Sequence, residues 1–214
     1  EDIWGIFPFN DLVPNIPAII EIQGILASVS EEYYGGLSTF ELIKCWSIKE
    51  FLKPSSSLPA IRRLYTLHVG REAKILRDFK NIGVQSAWSK DVVRTFNKEA
   101  NLYNSGIALR QAFYESEKWH LEDTKEPRIF STALMGQPLK GAFILFKAFT
   151  IVKQWFPSAK LIMAGVKEDG IRRSGFRRML EKYAKGHDFW NDVELLGKLD
   201  ANQLAEEYRK ASVF

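Results

Sequence analysis

The sequence predicts an α/β protein built on parallel sheets. Short β-branched or apolar runs alternate with helical patterns, glycine closes several of the runs, and the order strand, helix, strand, helix recurs through the second half. That order calls for right-handed crossovers between parallel strands.

The run from Pro17 to Gly24 is β-branched and closed by glycine, so it reads as a buried strand feeding a loop. The stretch Glu31 to Gly36 ends in paired glycines, which supply backbone conformations other residues avoid, and is a loop with a candidate binding role. Ser38 with Glu41 three residues later is a capping box, opening a helix that the pattern carries to about Leu52. A second helix starts near Pro59 and carries Ile61, Leu64, Tyr65, Leu67, Ile75 and Phe79, with Gly70 as a candidate break. Ile82 to Ser86 is a short strand, Ser86 to Phe96 a helix capped by Ser86 or Ser89, and residues 101–106 a strand and turn.

In the second half, strands are predicted at Arg128–Leu134, Ala159–Gly165 and Val193–Gly197, and a fourth begins at Ala211. Helices are predicted at about Lys140–Trp155, Gly170–Lys185 and Ala201–Lys210. In the first of these, Ile144, Ala148, Ile151, Val152 and Trp155 recur at intervals that put them on one helical face. The charged stretch Glu115–Arg128 separates two domains, expected at 1–107 and 108–214.

The chain has 214 residues, 46% hydrophobic and 26% charged, which is the composition of a soluble globular protein. No apolar run reaches the roughly 20 residues that span a bilayer. The absence of an initiator Met and of a basic, apolar leader leads us to expect a processed chain or a fragment. Cys45 is alone and is expected to be a buried thiol, in keeping with a reducing cytosol and a cytoplasmic location. A net charge of +4 suits phosphate-bearing ligands or an anionic membrane surface and is too small to argue for nucleic acid. Three His and one Cys make no metal constellation.

In open α/β sheets ligands bind beyond the carboxyl ends of the strands. Three loops meet that description. In Gly136-Gln137-Pro138-Leu139-Lys140-Gly141, Gly136 allows close backbone approach and Lys140 opens a helix whose dipole favours negative charge, so a pyrophosphate is the natural occupant. By spacing alone Lys140 also reads as an ordinary solvated residue. The glycines Gly165 and Gly197 either border a ligand or simply end their strands. Arg172, Arg173, Arg177, Arg178, Lys182 and Lys185 make a basic helical stretch that is either a solvated face or a contact for anionic lipid. His68, His120 and His187 carry no assignable catalysis, and Trp88, Trp119, Trp155 and Trp190 are sugar-stacking or core residues.

The ordered series Pro138-Leu139-Lys140-Gly141, Lys147-Ala148, Pro157, Lys160 to Gly165, Val193 to Gly197 and Tyr208 to Ala211 resembles the first half of the donor domain of family 4 retaining glycosyltransferases. Upstream, Pro17 to Gly24 and Val84 to Val93 are similar to the last part of that family's acceptor domain. The resemblance implies the GT-B arrangement of two Rossmann-like domains, each incomplete here: an acceptor side at 1–107 and a nucleotide-sugar donor side at 108–214. It implies that Lys140 with Gly136 contacts the donor diphosphate, that Gly165, Gly197 and Leu199 border the nucleotide, and that Gln23 and Gly24 lie on the acceptor or sugar side.

The implied activity is transfer of a hexose from a nucleotide-diphosphate sugar to a hydroxyl of a glycan, polysaccharide or glycolipid, with retention. The nucleotide sugar is co-substrate, no cofactor or metal is implied, and peripheral contact with the inner face of a membrane is compatible with it. Three departures go with the resemblance. Met135 stands where an arginine is common, Gln23 where a histidine is common, and the family's glutamate pair would lie beyond Phe214. The competing reading is a truncated, non-catalytic nucleotide-binding or interaction module.

Overall fold

A computed structural model describes residues 18–46, 48–54, 57–124, 126–133, 135–165 and 174–214. The chain forms two compact units, one from residues 1–31 and 59–108 and the other from 32–58 and 109–214. Arg172 and Arg173, Pro17 at the start of the first predicted strand, and Leu134 at the end of the fourth lie outside the described residues.

The first unit is a three-stranded parallel sheet of β1 (Ile20–Glu21), β2 (Asn81–Val84) and β3 (Asn101–Asn104), in that spatial order. Ile82 in the middle strand pairs with Ile20 on one side and Leu102 on the other. Helix α1 (Leu26–Glu31) follows β1, a 21-residue helix α4 (Leu58–Asp78) leads into β2, and α5 (Ala87–Phe96) joins β2 to β3. Ile20, Ile22, Ile75, Leu76, Phe79, Ile82, Val84 and Val93 are buried together between them. Helix α4 runs through Gly70 without a break. A mid-helix glycine costs about 1 kcal/mol, which burial of Ala73, Ile75 and Leu76 on the same helix outweighs. Its end is held by Asn97, whose side-chain amide donates to the carbonyls of Leu76, Arg77 and Phe79.

Glu72 lies on α4 with 2% exposure. Its carboxylate accepts the N–H groups of Leu26 at 2.8 Å and Ala27 at 3.3 Å, closing the N-terminus of α1. Burial raises its pKa above the ordinary 4.5, outweighing those two hydrogen bonds. The folded chain therefore holds this proton more tightly than the unfolded chain. The contribution to stability is full below 4.5 and is lost as pH rises through the folded value. Glu72→Gln is expected to flatten that part of the pH–stability profile, measured by urea denaturation at a series of pH values. An unchanged slope would remove Glu72 as its source.

In the second unit β4 (Arg128–Ser131), β5 (Lys160–Ala164) and β6 (Val193–Gly197) form a parallel sheet. Helix α7 (Ala142–Trp155) joins β4 to β5, α8 (Gly175–Gly186) joins β5 to β6, and α9 (Ala201–Lys210) follows β6. After α9 the chain returns to the free edge of β4, where Val213 forms a parallel bridge with Ile129 and accepts the N–H of Phe130 at 2.9 Å. The spatial order is thus β6, β5, β4, then the segment at Val213. The winding reverses at β4. Along β5, Leu161 and Met163 enter the larger core with α7 and α8, whereas Ile162 and Ala164 enter the smaller one, which Leu204 and Tyr208 of α9 also join.

Segment 32–58 was expected in the first domain by chain order, yet it packs with the second unit. Its helix α2 (Thr39–Lys44) opens on the expected Ser38–Glu41 capping box and ends at Cys45, after which α3 (Ile48–Leu52) begins. Leu37 and Cys45 are buried in the larger core, and that burial decides where the segment belongs. In α7 the helical face that the spacing picks out is not the buried one. Its inward face is Ala142, Phe143, Phe146 and Phe149, while Ile144, Ile151 and Trp155 are 56%, 59% and 78% exposed. Both faces of this helix are apolar, so periodicity could not choose between them, and the three phenylalanines supply the larger buried area. Phe146→Ala is expected to cost about 3–5 kcal/mol and Trp155→Ser no more than about 0.5, by urea denaturation. The reverse ranking would sink this assignment.

Candidate functional site

The loops at the carboxyl ends of β4, β5 and β6 belong to one unit and hold five of the seven predicted site residues. Gly136 and Lys140 lie in the loop after β4 and are exposed. Lys140 ends a 3-10 turn, Pro138–Lys140, whose proline is buried. Gly141 then adopts φ +77° and opens α7. Among the described residues Lys140 has no ion-pair partner. Gly165 and Gly197 both have positive φ, +81° and +69°, and the N–H of Gly165 donates to the carbonyl of Gly197. They are brought together at the ends of neighbouring strands. Leu199 is half-buried against the smaller core with Phe130 and Ile162. Gln23 and Gly24 follow β1 in the first unit and are exposed.

Because the winding reverses at β4, the loop carrying Gly136 and Lys140 leaves the sheet at its topological switch point, where such sheets bind ligands. The helix ends give a second criterion. A helix that leaves a strand presents free N–H groups toward the carboxyl edge of the sheet unless its own chain caps them. Helix α1 is closed by Glu72, and α5 by the Ser86–Ser89 capping box. Helix α8 is closed twice: Ser174 accepts the N–H of Arg177, and Glu50 accepts that of Gly175 at 2.8 Å. Helix α9 carries an Asp200–Gln203 capping box. Only α7, of these five, begins without a side-chain cap among the described residues, and it begins two residues after Lys140.

The neighbouring Gly35–Gly36 loop seats this segment. At Gly35, with φ +55°, an added Cβ would lie 2.1 Å from the carbonyl oxygen of Pro138, so only glycine lets the two backbones approach. The sequence marked this loop for a binding role, and the contact shows it supporting the one before α7. Glu50 was not singled out. Its signal is visible only in space, since its partners Gly175 and Arg178 are more than 120 residues away.

The remaining candidates are placed as follows. Arg177 is buried with Glu181 in an ion pair of 3.0 Å, and Arg178 lies 3.4 Å from Glu50. The described part of the basic stretch is therefore not a single solvated face. Cys45 is buried, and burial, with Glu50 and Glu41 nearby, pushes its thiol pKa up to about 12, which removes it as a nucleophile. Trp119 donates to the carbonyl of Ala211, Trp190 packs on the larger core, and Trp88 and Trp155 are exposed. Asp192 bridges Lys153 and Lys160 at 2.7 Å each. Burial works against its ionisation, but these two cations outweigh it and hold its pKa below the ordinary value. Among the described residues no three His, Cys, Asp or Glu side chains cluster as a metal would require, and no helix is long and apolar enough to cross a membrane.

Residues 114–214 match the family model of glycosyl transferases group 1. A sucrose-phosphate synthase from Thermosynechococcus elongatus is similar in fold, with a TM-score of 0.55 and 14% identity over 94% of this chain. The chain spans 45% of that protein's length. No curated protein sequence matches. The second unit is thus similar to the group 1 glycosyltransferase domain, and the chain as a whole has the α/β fold of a GT-B glycosyltransferase, with two Rossmann-like units.

Proposed function

We propose that this chain is part of an enzyme that transfers a sugar from a nucleotide-diphosphate donor to a hydroxyl acceptor with retention at the anomeric carbon. The observation that carries the reading is the N-terminus of α7, which has no side-chain cap among the described residues and lies next to Lys140, at the switch point of a domain that matches glycosyl transferases group 1. A helix N-terminus carries roughly half a positive charge. With the Lys140 ammonium it suits a diphosphate, and Gly136 lets the backbone come close.

As the bond from the anomeric carbon to the diphosphate oxygen breaks, negative charge builds on the departing phosphate. A fixed cation there lowers the barrier because it is needed more in the transition state than in the ground state. Gly165 and Gly197 then border the nucleotide, with Leu199 near the base. Gln23 and Gly24 serve the acceptor or sugar side, and a glycan or lipid-linked hydroxyl is the acceptor class. Titration of UDP, GDP and ADP against the protein, followed by heat release, tests the donor site. Saturable binding of one of them that weakens in Lys140→Ala is expected. Absence of saturable binding for all three would overturn it.

A further inference from the structure

The second unit has a cavity of about 690 Å³ that the donor site does not use. It lies between α2 and α8, with Phe143 of α7 beneath. Its lining on α8 runs from Arg178 past the helix C-terminus to His187. Because α8 leads from the carboxyl end of β5 to the amino end of β6, the cavity extends away from the loops holding Gly136 and Lys140.

The chemistry of the lining is divided. Phe143, Met179 and Tyr183 provide an apolar floor, with the rings of Phe143 and Tyr183 edge to face at 5.6 Å and Tyr183 stacked on His187 at 4.2 Å. Lys44, Arg178 and Lys182 provide three cations, the last two one turn apart on α8, and Arg178 is already paired with Glu50 at 3.4 Å. Glu41 is the one carboxylate of the lining, and it is held by Lys147 at 3.2 Å and by Ser38. Among the described residues neither Lys44 nor Lys182 has a carboxylate partner.

We propose that this cavity binds a small organic anion with an aromatic or aliphatic body. Lys44 and Lys182, beside a Glu41 carboxylate already engaged by Lys147, make the lining unsuited to a metal cation. The volume lies in the range of small-molecule sites, roughly 300–1,000 Å³, far above what inorganic phosphate fills. The anionic group lies toward Lys44 and Lys182, and the apolar body toward the rings of Phe143 and Tyr183. Such a ligand touches both α2 and α8, and so fastens the inserted segment 32–58 to the unit it packs on.

The test is titration of the intact protein with 1-anilinonaphthalene-8-sulfonate, read by fluorescence, with competition by phenyl phosphate and inorganic phosphate. One saturable site is expected, weakened at least about tenfold in a Lys44→Glu, Lys182→Glu double variant and unchanged in Lys185→Glu, which carries its charge outside the lining. Phenyl phosphate should displace the dye well below the concentration at which inorganic phosphate does, and Lys140→Ala, which lies outside the lining, should leave dye affinity unchanged. No saturable site, equal affinity in the double variant, equal loss in Lys185→Glu, equal potency of the two phosphates, or loss of dye binding in Lys140→Ala would each overturn the proposal.

Discussion

Under the proposed function, Lys140→Ala is expected to lower kcat/KM for sugar transfer about 10²–10³-fold, the loss seen when one fixed charge-stabilising group is removed from a reacting centre. Its side chain is exposed and has no ion-pair partner among the described residues, so the thermal midpoint should not move. Most of the loss should fall on kcat, because the charge it meets grows as the diphosphate departs. Lys140→Arg should recover part of the rate. Steady-state kinetics across donor concentrations separates the two parameters, and an unchanged kcat/KM would exclude Lys140 from the donor site.

Gly175→Ala should have a large effect on stability. A Cβ at this position would stand 1.5 Å from the carbonyl oxygen of Cys45 and 3.2 Å from the Glu50 carboxylate. A backbone carbonyl cannot swing aside as a side chain does. The methyl group therefore has to separate α8 from the end of α2, losing the Glu50 cap on α8 and the burial of Cys45 with it. A cost above about 3 kcal/mol is expected, at the upper end for overpacking. Gly186→Ala on the same helix is the control. Its Cβ would meet nothing within 4 Å, and it should be neutral or stabilising by up to about 1 kcal/mol. Urea denaturation of the two variants decides the matter, and equal midpoints would refute the packing role of Gly175.

Much of the local structure is legible in the residues because its causes are local. The capping boxes of α2 and α5 need only two side chains three residues apart. The apolar strands β5 and β6 are bounded by Gly165 and Gly197, whose positive φ explains why glycine stands there. The short helices α1 and α6 (Gln111–Glu115) were not anticipated, and neither has a propensity signal that stands apart from its surroundings. Helix α1 instead depends on Glu72, 46 residues from Leu26.

What this sequence determined by itself is the α/β class, the run of alternating elements and the loop holding Gly136 and Lys140, since hydrophobic period, caps and glycines act over a few residues. Only the tertiary structure decided which apolar face of α7 turns inward, where segment 32–58 packs, and which helix N-terminus stays open. Those outcomes turn on competition for buried area and on carboxylates such as Glu50 and Glu72 that reach their partners only once the chain has folded.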